Sequence, residues 1–303
     1  MPMLQNKSLS LVTRFMDRGE HLKRSLASWL LIPQVDEIII VDFDSKRDNA
    51  LAIVKEIQPY IPTELQIPVH VLQVYNQEVF NRGRAWNIGI HYAKSEFIFA
   101  VDCDVILKNN PLNTILLDKF TLWRSTDKWT SLCGTCIFSR DLWYQVGGYA
   151  EFQEGWGHDD DYFHGKLYPL GVHTEFMNFD CFEHQEHDLE NSVQYHKIKD
   201  RWESRDLNVA TASLIRKVYF DTVLVGVTTP DGKTRDFNFP VQVIDKKEPA
   251  KMMEEIYKTG EVPPELQHHV NMMRHNRPSN DENRHGEKSS FMPILSFPRP
   301  QRL

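Results

Sequence analysis

Residues 35–45, VDEIIIVDFDS, and residues 95–104, SEFIFAVDCD, each run through apolar side chains into two aspartates spaced one apart: Asp42 with Asp44, and Asp102 with Asp104. Like charges at the end of a buried strand repel one another unless something cationic stands beside them. A hard divalent cation does this well. Carboxylate oxygens are its preferred ligands, and it keeps positions open for the phosphates of a ligand. One such acid is as readily a turn residue or a helix cap; two pairs ending two strands point to a site. No glycine loop competes for the phosphate role, because GxxxxGK(S/T) is absent and the first strand runs into RFMDRGE instead of GxGxxG. The cysteines at 133 and 136, in CGTC, have the spacing of zinc and redox motifs. They lie, however, in WTSLCGTCIFSR, which alternates like a strand and does not open a helix as redox motifs do.

The segments that must position these acids alternate in type. Strand patterns at 8–15, 35–45, 69–76 and 95–104 are separated by helical periodicity at 18–32, 47–60 and 82–94. Such alternation predicts an α/β fold with a mostly parallel sheet flanked by helices. In such sheets ligands bind beyond the carboxyl ends of the strands, where both acid pairs fall. Residues 217–245 predict a hairpin closed at Asp231-Gly232. The chain has 303 residues, 41% hydrophobic and 11% aromatic, enough for a sizeable core. Its net charge of -7 is spread out, with no basic stretch dense enough to follow a nucleic-acid backbone. No segment reaches the 18 or so apolar residues of a membrane span, and the first residues lack the pattern of a signal peptide, so the expected location is the cytoplasm.

Four blocks carry a resemblance. IIIVDFDS, FNRGRAWNIG, VDCD and GWGHDDDYF occur in this order between residues 8 and 190. Together they resemble GT-A fold glycosyltransferases, in particular the beta-1,4-galactosyltransferase group and the galactosyltransferase-like C-terminal domains of family-two enzymes. The resemblance implies a GT-A (Rossmann-like) domain over residues 1–205; beyond it the sequence pattern itself predicts a β-hairpin and helix extension over 206–265 and, polar and proline-punctuated without periodicity, a mobile or partner-binding tail over 266–303. It implies a metal-dependent inverting transferase. Such an enzyme moves a hexose or N-acetylhexosamine, galactose-type first, from a UDP-sugar to a hydroxyl of a glycan or glycoconjugate.

The same resemblance assigns residues. Asp42 would meet the uridine, the backbone at Thr13 and Arg14 would line the nucleotide slot, and Arg82 and Asn87 would shape its diphosphate side. Asp102 would face the ribose and Asp104 would bind Mn2+, or Mg2+. Two aspartates give too few ligands, and Mn2+ accepts imidazole where Mg2+ seldom does, so a downstream histidine is expected. FDCFEHQEHDLEN offers His184 first and His187 second, with Asp102 a further candidate; Cys181 stands where the group has a methionine ligand. In GWGHDDD, Trp156 and Gly157 would contact sugar, Asp161 the acceptor, Asp160 would be the general base and Asp159 would orient sugar hydroxyls. A one-residue gap would move the base role to Asp159. His158 replaces a glycine of the motif. A non-catalytic sugar-nucleotide or glycan-binding module is the alternative. A nucleotidyltransferase fits less well, for want of a glycine- and lysine-rich first loop.

Overall fold

The computed structural model describes residues 7–126, 130–153, 155–187, 194–196, 198–214, 218–228 and 232–244, with a few positions between 254 and 264. The tail expected at 266–303 lies outside the described residues. In chain order the first half contains β1 (Leu9–Phe15), α1 (Gly19–Trp29), β2 (Glu37–Phe43), α2 (Ala50–Ile57), β3 (Val69–Val74), α3 (Arg82–Tyr92), β4 (Phe97–Ala100) and β5 (Val105–Leu107). There follow β6 (Thr121–Arg124), β7 (Cys136–Ser139), α4 (Arg140–Gln145), α5 (Asp159–Leu167), β8 (His173–Phe176), β9 (Phe182–His184), α6 (Arg201–Leu214), β10 (Val218–Thr228) and β11 (Thr234–Ile244).

β1 is central, with parallel neighbours β2 and β4, and β3 lies parallel beyond β2. Outside this core the direction changes. β10 and β11 add antiparallel strands on β3, while β7 and β6 continue antiparallel from β4 and end in β8, parallel to β6. Among the described residues, four of the eight pairings in this nine-stranded sheet are antiparallel. The sheet thus has the expected parallel strands at its core and antiparallel pairings toward both edges. The hairpin expected at 217–245 is an extension of that sheet.

Side chains two apart share a face, and the strands use both. Leu9, Leu11 and Phe15 of β1, with Ile38 and Ile40 of β2, pack under Leu22, Leu26 and Trp29 of α1 and Val54 of α2. Val12, Ile39 and Val41 point the other way, into a core with Trp86, Ile88 and Ile90 of α3 and with Phe163 and Leu167 of α5. Gly89 explains the last glycine of FNRGRAWNIG. A Cβ there would stand 2.5 Å from Val12 Cγ1 and 2.9 Å from Val41 Cγ2, so α3 lies on the sheet at a distance that only glycine permits. Asn81 of the same motif caps α3, accepting the Arg84 N–H at 2.8 Å and donating to the Glu151 carbonyl at 2.7 Å.

The two edges of the parallel core differ. At the amino edge Glu37 is buried, accepting from Ser10 Oγ at 2.7 Å and the Lys94 N–H at 2.8 Å, with His70 Nε2 at 3.5 Å. At the carboxyl edge β1, β2 and β4 run out into Asp17, Asp42 and Asp102, and the acids of the sequence collect there.

Candidate active site and metal centre

Asp104 is the most converged of these acids. Its Oδ2 lies 3.2 Å from His187 Nε2 and 3.7 Å from His184 Nε2, and donor atoms of the three residues all fall within 4.8 Å of one another. The histidines come from a separate two-stranded sheet, in which β9 pairs antiparallel with β5 and His184 faces Val105. Gln185 fastens the segment. Its N–H donates to the Asp104 carbonyl at 2.8 Å, and its amide donates to the His21 carbonyl and to Ser25 Oγ on α1. Burial pushes the Asp104 carboxyl up, but hydrogen bonds from His184 and His187 and the charge of Arg18 outweigh it and hold the group well below the usual carboxylate range. One carboxylate oxygen and two imidazole nitrogens suit a first-row divalent metal with open positions for a ligand. Cys181 is packed in the core outside this cluster, so His187 rather than the thiol completes the trio.

Asp102 turns away from the trio. Its Oδ1 accepts from Arg14 Nε at 3.0 Å and Nη2 at 2.9 Å, and the same guanidinium reaches Asp159 Oδ2 through Nη1 at 2.8 Å. Arg14 shares the Val12 face of β1, where its guanidinium lies over the Trp86 ring at 4.8 Å. Arg82, first residue of α3, places Nε 3.5 Å from the same Asp159 oxygen. Burial pushes Asp159 up, yet Arg82 and Arg14 together hold it far down, and it is ionised at any ordinary pH. Asp160 differs. Burial, then the neighbouring charges of Asp161 and Asp159, push its pKa up to about 7.

Gly134 of the CGTC segment brings the two halves together. A Cβ there would stand 3.1 Å from Asp102 Oδ2 and 4.0 Å from Asp160 Oδ2, so the end of β4 and the start of α5 face one spot. Neither of the two cysteines beside it is in a disulfide, and burial pushes both up to about 12, away from the thiolate that zinc or redox chemistry needs.

The loop 155–158 rests on α6. Ser204 Oγ accepts the Trp156 N–H at 2.7 Å and Asn208 donates to the Gly157 carbonyl at 2.8 Å, while a Cβ on Gly155, at φ 95°, would overlap Ser204 Oγ. Arg201 covers one face of the Trp156 ring at 3.9 Å, and Arg205 stands 3.8 Å from Asp161. His158, buried at φ 71°, holds the left-handed conformation that the glycine of the resembling motif adopts freely.

Three residues expected at the nucleotide slot have the following surroundings. Thr13 is fully buried within β1, with its hydroxyl unpaired on the α1 face. Asn87 is saturated: it donates to the Tyr149 carbonyl and Glu151 Oε1 and accepts from Trp143 Nε1 and the Tyr149 N–H, so it binds α3 to the 149–151 segment. Asp42 spends its carboxylate on the Ser45 N–H at 3.1 Å and the Ala50 N–H at 3.5 Å, ordering the β2–α2 loop. That loop and the β1–α1 loop clamp one another. Asp17 accepts the Arg47 and Asp48 N–H groups and the Tyr195 hydroxyl, and Asp48 accepts the Gly19 N–H at 2.6 Å. A cleft of about 290 Å³ lies between them, lined by Asp17, Arg18, Arg47, Asp48 and His187 among others, and it opens beside the Asp104 trio.

Two family models match the chain in sequence. "Glycosyl transferase family 2" covers residues 10–120 and "N-terminal domain of galactosyltransferase" covers residues 116–188, so the cleft, the trio and α5 all fall within them. The chain is a GT-A fold glycosyltransferase. No curated protein matches the sequence significantly. Among solved structures it is similar to the catalytic domain of Drosophila beta1,4galactosyltransferase 7 with xylobiose, at 15% identity and TM-score 0.49 over 79% of this chain and 96% of that one. It is similar also to the Pyrobaculum calidifontis mannosyltransferase PcManGT with GDP-Man and Mn2+, at 12% identity and TM-score 0.48 over 68% and 61%. S. aureus TarS gives 15% and 0.48 over 68% and 40%. Likenesses of this size bear on neither donor nor acceptor.

In this glycosyltransferase Asp104, His184 and His187 form, among the described residues, a group that could hold a metal ion. Among the described residues no helix is long and apolar enough to cross a membrane. The residues that sequence reasoning missed are Arg18, the side chain of Arg14, and Ser204, Arg205 and Asn208 of α6. The last three contact a loop about 50 residues earlier, and no local pattern marks such a pairing.

Proposed function

We propose that the enzyme transfers a hexose or N-acetylhexosamine, galactose-type first, from a UDP-sugar to a hydroxyl of a glycan or glycoconjugate, with inversion at the anomeric carbon. The observation that carries this reading is the placement of Asp160, a carboxyl that titrates near neutrality, across Gly134 from the metal loop. A base there takes the proton of the acceptor hydroxyl as its oxygen bonds to the anomeric carbon, while the bond to the nucleotide's diphosphate breaks on the opposite face. Asp104, His184 and His187 would hold Mn2+, favoured over Mg2+ by the two imidazoles, and the ion would offset charge on the departing diphosphate. Asp159, ionised between two arginines, is suited to accept hydrogen bonds from sugar hydroxyls and unsuited to bind a proton. The uridine would lie in the cleft between the Asp17 and Asp48 loops, and Trp156, Gly157 and Asp161 would meet the sugars. UDP release from a panel of UDP-sugars, with Mn2+, Mg2+ or EDTA, tests the proposal. UDP-galactose or UDP-N-acetylgalactosamine should lead and Mn2+ should exceed Mg2+; undiminished turnover by Asp104→Ala in EDTA would sink it.

A further inference from the structure

α5 lies on the sheet face that carries Leu122 and Arg124 of β6, because Leu122 shares a core with Phe163 and Leu167 of that helix and side chains two apart in a strand point the same way. Cys136, opposite Arg124 on β7, belongs to the same core, and Thr174 stands opposite Leu122 on β8. His164 comes down on this face from α5, one turn after Asp160 and so on the same side of the helix. It is 2% exposed. Both of its ring nitrogens, Arg124 Nε and Thr174 Oγ1 are buried, and among the described residues they meet no hydrogen-bond partner. Polar atoms buried in this way beneath one helix call for a partner of another kind. Burial, and then the charge of Arg124, keep the His164 ring neutral, so it offers one donor and one acceptor; the guanidinium Nε–H donates and the hydroxyl does both. Water matches such a mixed set, since a buried molecule bonds to two to four polar groups.

We infer that Arg124, His164 and Thr174 hold internal water beneath α5, and that Arg124 and His164 are positioning residues that act through it on the carboxylate of Asp160. This rests on the reading of Asp160 as the base and deepens it. A base has to be held as an anion, and Asp160 stands among like charges. Asp159 and Asp161 flank it on α5, and Asp102 lies across Gly134 with Arg14 between it and Asp159. The thiols of Cys133 and Cys136 bring no charge to offset them. Burial and the two flanking acids raise the proton affinity of Asp160, while Arg82 of α3 and Arg124 of β6 oppose them. Arg82 is drawn toward Asp159, 3.5 Å from its Oδ2. Arg124 is thus the cation on the sheet side of the base. Water bonded to its Nε and to the imidazole turns further donors toward the carboxylate, and the neutral ring fixes that water without adding a charge of its own.

Carbon-13 NMR of the full chain labelled at aspartate carboxyls, with Mg2+ present, follows the titration without need of a substrate. Asp160→Asn assigns the signal by its loss. Wild type should show a midpoint at about 7. Arg124→Gln should bind that proton about 10-fold more tightly, moving the midpoint up by about one pH unit. His164→Leu, which removes the anchor of the water, should move it the same way, and His164→Gln, which keeps a donor and an acceptor, should restore it. Damage to packing alone would not discriminate leucine from glutamine in this manner. Thermal melts report whether each variant folds; if Arg124→Gln does not, the contrast between His164→Leu and His164→Gln decides. Folded Arg124→Gln and His164→Leu with the wild-type midpoint overturn the inference, and a shift with Arg124→Gln alone overturns the part played by water. A wild-type Asp160 that titrates in the ordinary carboxylate range overturns the base reading itself, whatever the variants do.

Discussion

Asp159 and Asp160 follow one another at the start of α5 and meet opposite surroundings. Two arginines hold the first ionised, while the second, half-buried and facing the charges of its own neighbours, titrates near 7. A general base acts in its deprotonated form. Turnover should therefore rise as pH passes up through about 7 and level off above it. Asp160→Asn should remove that rise and lower turnover about 100- to 10,000-fold while leaving UDP affinity near wild type. A pH profile of kcat/KM together with calorimetry checks both points; normal turnover by Asp160→Asn with a dead Asp159→Asn would transfer the base to Asp159. His158 poses a different question at this scale. Its left-handed backbone costs a residue with a Cβ about 1–2 kcal/mol, and β-branching adds to the strain. His158→Gly should melt at or close to the wild-type temperature and His158→Val well below it, as differential scanning calorimetry would show.

At the scale of elements, the parallel core is held at its amino edge by Glu37, which joins β2 to Ser10 of β1, His70 of β3 and the end of α3. Burial pushes Glu37 up, but His70, Ser10 and the Lys94 N–H outweigh it and bring it down from 4.5 to about 2. A carboxyl with a depressed folded pKa stabilises above its unfolded value, and that contribution fades as pH falls from about 4.5 to about 2. It amounts to roughly 3 kcal/mol. Glu37→Gln should lower the urea midpoint at pH 7 and flatten its fall over that acid range. The elements themselves were largely legible in the sequence, because alternation along β1 and β2 and the helical period of α1 and α3 follow directly from which face is buried. Asp104 and His184 were legible too, since strand ends and a ligand-poor metal motif leave a chemical trace. Less so were the short outer strands β6, β7 and β8. They are short and buried on both faces or exposed at an edge, and such segments carry little periodicity. Asn87 shows a related limit: residue type and spacing do not reveal that its four hydrogen bonds go to its own scaffold.

At the scale of the whole molecule, the site draws on β1, β4, the segment after β9 and α5, which lie far apart in the chain. A ligand that bridges them stabilises the fold as a unit. With UDP and Mn2+ each near 100 times its dissociation constant, the gain is about 2.7 kcal/mol per saturating ligand, or roughly 4 °C in Tm for each in a chain of this size. Scanning fluorimetry should show that rise with UDP and Mn2+ together, a smaller one with ADP or GDP, and its loss on adding EDTA; equal shifts for all three nucleotides would remove the uridine assignment. The two arginine pairs have a temporal consequence as well. Arg14 and Arg18 precede Asp102 and Asp104 by 88 and 86 residues, whereas His184 comes 80 residues after Asp104. At about 5–20 residues per second, a ribosome needs roughly 4–16 s to travel from the aspartates to that histidine. Throughout that interval the nascent chain already contains the cations its acids require, so the newborn sheet edge is neutralised from within before the rest of the metal centre has been made.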